Sequence, residues 1–204
     1  MSSELKVDTI SEKTTASGVT IDGVLLKDSK IGGTITIPGS TGTMALTSDI
    51  SAGGLTEADN WRLTTTVSSN TDPVTNWERE DSLLQGSYVG TGMTESSGIW
   101  TFPATGIYLV NLFAQIVHIT SGATCGVSIY ATNDGGSTYT GNIAVIASKG
   151  TDEYSNQAIS TFVDITDTSL CKIKVVVAFG GSSQLGGSTT QNLTTLTFLK
   201  LGDT

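Results

Sequence analysis

Residues 98–110 read Gly98-Ile99-Trp100-Thr101-Phe102-Pro103-Ala104-Thr105-Gly106-Ile107-Tyr108-Leu109-Val110. Two β-prone stretches here flank a break. Pro103 fixes its own φ and lacks an N–H, and Gly106 relieves the turn that follows, so the chain reverses between them. Tyr108 then enters the core on a long strand over 107–119. Working outward, further strand candidates fall at 61–67, 87–91, 98–102, 125–132, 142–148, 157–165, 171–179 and 193–201, separated by turn-rich segments. Asn133-Asp134-Gly135-Gly136 supplies one hairpin loop. Ile173, Val175, Val177 and Phe179 share one face of their strand, while Lys172 and Lys174 begin the other. Leu196 and Phe198, with Thr194, repeat that alternation. Many short strands without helices between them predict an antiparallel β-sandwich, with Trp100, Phe102, Tyr108 and Phe198 in its core.

The composition bounds what such a chain does. Of its 204 residues 37% are hydrophobic and 14% charged, and Gly, Ser and Thr make up roughly two in five. That is too apolar and too weakly charged for disorder throughout. Ten Lys and Arg face nineteen Asp and Glu, a net charge of -9. An acidic chain lacks the basic groups that nucleic acid or an anionic membrane surface demands. No apolar run approaches the ~20 residues of a membrane span. The first residues, MSSELKVDTI, contain no apolar h-region, so synthesis and assembly in a cytoplasm are expected. Two cysteines, Cys125 and Cys171, make neither a disulfide framework nor a metal cluster. They fall on strands that neighbour each other in the expected sandwich, and a reducing compartment favours free, buried thiols. A single histidine, His118, excludes a multi-His metal site, and nothing near it supplies a nucleophile signature, so a structural role is expected.

Before Gly53 the pattern differs. Short β-prone pieces at 6–10, 19–26, 34–37 and 44–47 end at turn formers, among them Asp22-Gly23, Gly32-Gly33 and Pro38-Gly39. Such a segment cannot enclose a core alone. The economical solution is other copies of the same chain wound around a common axis. Two parts are therefore expected, a stem over 1–53 and a sandwich over 54–204.

The stretch Gly98–Val110 resembles the turn of the C1q/TNF-like jelly rolls, an aromatic-x-Pro followed by Gly-x-Tyr leading into a long central strand. The closing strand 194–201 is similar to that family's last strand. The resemblance covers about 140 residues and implies an all-β jelly-roll head that forms a homotrimer. The N-terminal part, Glu4-Leu5-Lys6-Val7-Asp8-Thr9-Ile10 followed by residues 18–28 (GVTIDGVLLKD), resembles segments of tail-fibre and other virion proteins of marine bacteriophages. Residues 33–50 (GTITIPGSTGTMALTSDI) are similar to phage fibre shafts. The pairing implies a short intertwined β stem carrying a jelly-roll head. It implies a structural virion protein and not an enzyme, a tail fibre or similar appendage that docks on tail or capsid proteins through its N-terminus. A capsid-bound head fibre or decoration protein is the alternative, and a glycan depolymerase is disfavoured because the acids are scattered.

Strand parity points to the contact surface. The termini of such a jelly roll lie at one end, so the loops 120–124, 149–156 and 180–192 gather at the other. Thr120, Asp152, Glu153, Tyr154, Gln184 and Gln191 are the candidate contacts with a host-surface glycan or protein. Trp77, in a loop over 68–81, is either a sugar-stacking residue or packing at a subunit boundary. Asp134, Asp152 and Glu153 are oxygen donors of the kind Ca²⁺ takes, but no Asp-x-Asp-x-Asp loop is present and solvated loop carboxylates are expected. No cofactor is implied.

Overall fold

The computed structural model describes residues 19–21, 24–27, 30–32, 55–80, 88–148 and 150–204, with the backbone alone for 19–32 and 141–148. The chain divides into two units, Met1–Gly54 and Leu55–Thr204. In the first, β1 (Val19–Ile21), β2 (Val24–Lys27) and β3 (Lys30–Gly32) form an antiparallel sheet in chain order. Ile21 pairs with Val24, so the sequence between the paired ends is Asp22-Gly23, the dipeptide that favours a two-residue hairpin. The strands expected at 6–10, 34–37 and 44–47 lie outside the described residues.

The second unit is all-β. Its strands are β4 (Ala58–Leu63), β5 (Trp77–Arg79), β6 (Tyr88–Val89), β7 (Thr94–Ser96), β8 (Ile99–Thr101), β9 (Gly106–His118), β10 (Thr124–Thr132), β11 (Thr140–Ser148), β12 (Glu153–Ile165), β13 (Lys172–Gly180), β14 (Ser183–Leu185) and β15 (Thr194–Gly202). No helix occurs among the described residues. One sheet runs β12-β9-β15-β4-β5, with β14 also on β9 and β6 on β4; the other runs β11-β10-β13-β8-β7. Every pairing is antiparallel, and the inward side chains of both sheets share one core. The sandwich read from the sequence is this structure.

The turn that opens β9 works as its residues require. Gly106 has φ +138, and a Cβ there would fall 2.4 Å from the Gly202 carbonyl oxygen, so the strand end is open only to glycine. The Tyr108 hydroxyl donates to the Ala104 carbonyl at 3.0 Å and closes the turn around Pro103. Burial pushes the Tyr108 phenol up to about 12, so it stays a donor. From there the chain feeds an aromatic cluster. Trp100 lies edge-on to Trp61 (6.4 Å between centroids) and to Trp77 (5.1 Å), and 6.2 Å from Phe198. Phe102 joins Phe198 to Tyr108 at 5.9 and 4.8 Å. Edge-to-face pairs contribute about 0.5–1.5 kcal/mol each beyond area burial.

Three sequence readings are refined. Trp77 is buried at the start of β5 with its Nε1 donating to the Val74 carbonyl at 2.9 Å, so it packs in the core and cannot stack a sugar. Cys125 and Cys171 are both buried and free. Cys125 begins β10, whereas Cys171 precedes β13 at the level of Thr132, so the two thiols stand at opposite ends of an antiparallel pair, about 20 Å apart by strand rise. Burial pushes the Cys125 thiol up to about 12. The short strands β5, β7 and β14 have too few residues for alternation to register in the sequence.

Charge fixes what alternation does not. Asp59 on β4 takes Arg79 of β5 in a two-pronged pair, Nε to Oδ1 and Nη2 to Oδ2 at 2.9 Å each. The same carboxylate accepts the Met93 amide at 2.6 Å, and Arg79 donates to the Met93 carbonyl at 2.6 Å. The guanidinium lies over the Trp61 and Tyr88 rings. One ion pair thus fastens β4, β5 and residues 88–93. Trp100→Ala should lower the unfolding free energy measured in urea, at fixed protein concentration, by about 3–5 kcal/mol, and a loss below about 1 kcal/mol would show that the cluster does not hold the sheets together.

Candidate functional site

β9 carries large apolar side chains on both of its faces, with Asn111 and Gln115 interrupting the outer one. Tyr108, Val110, Leu112, Ala114 and Ile116 point inward and are buried. Leu109, Phe113 and Val117 point outward, with Ile107 below them, onto the outer surface of the sheet. Register extends each into a row across neighbouring strands. Phe162 of β12, Leu109 and Leu199 of β15 form the lowest full row. Two residues up come Ser160, Asn111, Thr197 and then Asn60 of β4. Two further up stand Ala158, Phe113 and Thr195. The top row is Tyr154, Val117 and Gln184. Phe162 is 68% exposed and Tyr154 64%. No side chain in the three lower rows of β12, β9 and β15 is charged. Arg62, next in line on β4, is held by Glu78 and Glu80.

The far end of β9 brings most of the sequence-selected contacts together. Glu153 and Ser183 both pair with His118, Tyr154 and Gln184 both pair with Val117, and the Thr120 amide donates to the Ser182 carbonyl at 3.3 Å. Asp152 sits at φ +56 in the tight turn before β12, and the Glu153 carboxylate accepts the Gly150 amide at 3.1 Å. This end lies opposite Leu55 and the C-terminus, since Ala58 pairs with Leu199 and Ile107 with Gly202. Gln191 stands apart from it. Gly186 donates to the Gln115 carbonyl at 2.8 Å and Gln115 donates to the Leu193 carbonyl at 3.1 Å, so residues 187–192 leave and rejoin the sheet at one position. That excursion is three residues, about 10 Å, below the tip. Its companions Ser183 and Leu185 are buried strand residues, so residues 180–192 are not one free loop.

His118 is fully buried. Its Nδ1 lies 3.1 Å from Ser183 Oγ and its Nε2 3.0 Å from Ser155 Oγ, and both serines are buried too. The imidazole ties β9 to β12 and β14 through these two buried hydroxyls. The acids divide likewise. Asp134 sits in the loop before β11 and Asp152 and Glu153 in the turn after it, at opposite ends of that nine-residue strand, so they cannot share one ion. Asp134 serves its own loop. It accepts from the Thr132 hydroxyl at 2.5 Å, the Thr138 amide at 3.0 Å and the Gly136 amide at 3.3 Å. The Thr132 hydroxyl, first, and then the Thr138 amide hold its carboxyl at about 2.

No family model and no curated protein matches the chain. Solved structures do. Murine APRIL at pH 5.0 superposes with a TM-score of 0.51 at 21% identity, over 71% of this chain and 98% of that one. Eiger TNF from S. frugiperda does so with a TM-score of 0.52 at 14% identity, over 72% and 93%. The head is a TNF-like jelly roll. Identity at this level establishes the fold, and the outward rows and the tip must be read from their own chemistry.

Leu109, Phe113 and Phe162 are not among the contact residues expected from the sequence. The signal was present, because a strand apolar at both parities is one that expects cover on both sides. For the Asp134 loop, the contact is present above the ordinary carboxyl value of 3.8 and is lost as pH falls through about 2. Amide exchange at Gly136 and Thr138, corrected for intrinsic rate, should therefore quicken between those values, and Asp134→Asn should abolish the pH dependence.

Proposed function

We propose that the chain is a structural protein of a bacteriophage particle, a homotrimeric tail fibre or similar appendage that docks through residues 1–53 and offers its jelly-roll head to a host surface. The observation that supports self-association is the partly apolar face of β12, β9 and β15, whose three lower full rows are uncharged and are bordered below by the exposed Asp164 beside Ile107. Exposed rows led by Phe162 and Phe113 leave apolar area in water that an identical surface would cover. The edge beside them has the same requirement. β12 is a thirteen-residue outermost strand in unbroken register with β9. Its sequence, EYSNQAISTFVDI, contains no lysine or proline, the usual guards of a bare edge. Copies of a chain with net charge -9 repel through most of their surface, and this face is where they meet without that penalty.

The threefold count, the virion address and the phage source rest on the resemblances of the opening segment and of Gly98–Val110. The adhesive role rests on the tip. Thr120, Asp152, Glu153, Tyr154 and Gln184 surround the end of β9 on the side away from Leu55, where the stem segment joins. An exposed aromatic ring beside amide and carboxylate groups suits a glycan or a polar protein surface. Each contact is weak, and three copies turn weak contacts into avidity. The buried histidine and dispersed acids support a binding role over catalysis.

Sedimentation should find trimers at micromolar concentration. Phe162→Asp and Leu109→Asp should shift the population to folded monomers, and a wild-type chain that stays monomeric would sink the reading. For adhesion, a Tyr154→Ala, Gln184→Ala head should block or support adsorption to host cells roughly tenfold less well than the wild type, through losses multiplied over three copies. Unchanged adsorption would move the contact surface elsewhere.

A further inference from the structure

The self-association face contains a polar row between its two lower apolar rows, and this row has a use that mere solubility does not explain. Ser160 Oγ donates to Asn111 Oδ1 at 2.6 Å, and Thr197 Oγ1 donates to Asn60 Oδ1 at 2.8 Å. These bonds link β12 to β9 and β15 to β4 across the sheet surface. Each asparagine spends its carbonyl inside the sheet and leaves its NH₂ for whatever faces it. Below stands the row led by Phe162, and above it the row led by Phe113. The sequence of bands is therefore apolar, polar, apolar at two-residue intervals, about 7 Å each.

We propose that the Asn111 row sets the alignment in which copies of this chain meet, an inference that rests on the self-association reading above. The occupant of the face is a second copy, because its three lower full rows are uncharged on a strongly acidic chain and run out to the edge of β12, the outermost strand of this sheet among the described residues. A uniformly apolar face would let two copies slide by one pleat repeat at little cost, since burial depends on area and not on direction. Here a slide of one repeat lays the Asn111 amide against Phe162 or Phe113 of the neighbour. A buried amide left without partners is costly, each such group disfavouring the arrangement by roughly tenfold or more. With several such groups in each contact, the aligned arrangement is favoured over its neighbours by a factor of at least about a hundred, taking 1.4 kcal/mol as tenfold. A single buried asparagine fixes register between paired helices by the same physics. The row gives up some affinity and gains a unique partner geometry.

The test compares full-length wild type with Asn111→Leu and Ser160→Val by native mass spectrometry and sedimentation velocity, with far-UV circular dichroism to verify the fold. Wild type and Asn111→Ser, which keeps a polar group in the row, should each give one trimeric species. Asn111→Leu and Ser160→Val join the apolar bands and should bind more tightly, dissociating at a concentration at least about tenfold lower, yet give mixed species including assemblies larger than trimers. If wild type is trimeric and both apolar variants stay single trimers, the alignment role is overturned while the trimer stands. If wild type is monomeric, the association reading itself fails before any variant is compared.

Discussion

The architecture of the second unit turns on one strand that carries large apolar side chains on both sides. Gly106–His118 forms β9, bonded to β12 along one edge and to β15 and β14 along the other. Its even positions fill the sandwich and its odd positions include Leu109, Phe113 and Val117. A strand at the centre of a sheet has no free edge, so its outer face can be covered only by something laid over the sheet. Within the described head nothing lies there, and Phe113 and Phe162 stay exposed. The inner face is covered by the second sheet, and the proposed association would cover the outer one. Fold and the proposed association are thus two answers to one distribution of side chains.

The inner answer depends on the aromatic cluster more than on hydrogen bonding. Trp61, Trp77, Phe198 and the trio Trp100, Phe102 and Tyr108 come from four separate stretches of chain, and their neighbouring rings meet at 4.8 to 6.4 Å between centroids. Aromatics are only 6% of the sequence, so their concentration here is what lets a chain rich in Gly, Ser and Thr hold a core at all. The Asp59–Arg79 pair borders this cluster and shows where charge is structural. Removing Arg79 would leave the buried Asp59 carboxylate without its counter-charge and with backbone amides alone as partners, which destabilises the fold.

How much of this is legible in the sequence depends on strand length. β9, β10, β12, β13 and β15 are long enough for alternation to mark both strand and inward face, and the Pro103–Gly106 turn with Tyr108 marks where the central strand begins. β5, β7 and β14 have three residues each, too short for a period, and are placed by tertiary contacts such as Arg79 on Asp59. Trp77 reads as a loop residue because its strand is that short. The Gly-rich stretch 180–192 hides β14 for a similar reason, since Leu185 is its only large apolar side chain. Gln191 is displaced from the tip as a result. Outward residues such as Phe162 are the hardest to read, because a single strand does not disclose what lies across its outer surface.

The geometry also joins association to the proposed adhesion. Tyr154 and Gln184 form the top row of the same face whose lower rows contain Phe162, Asn111 and Phe113. The rows share one register, so any arrangement that aligns the Asn111 rows of neighbouring copies also fixes the level of their Tyr154 rows. A slide of one repeat would displace those tips by about 7 Å relative to each other. Multivalent binding depends on whether the sites can be engaged together, and its gain disappears when their spacing is wrong. A register pin six residues, about 20 Å, along the same strands from the contact residues therefore bears on adhesion without touching a ligand, and the polar row costs affinity between copies in a place where alignment is worth more than tightness.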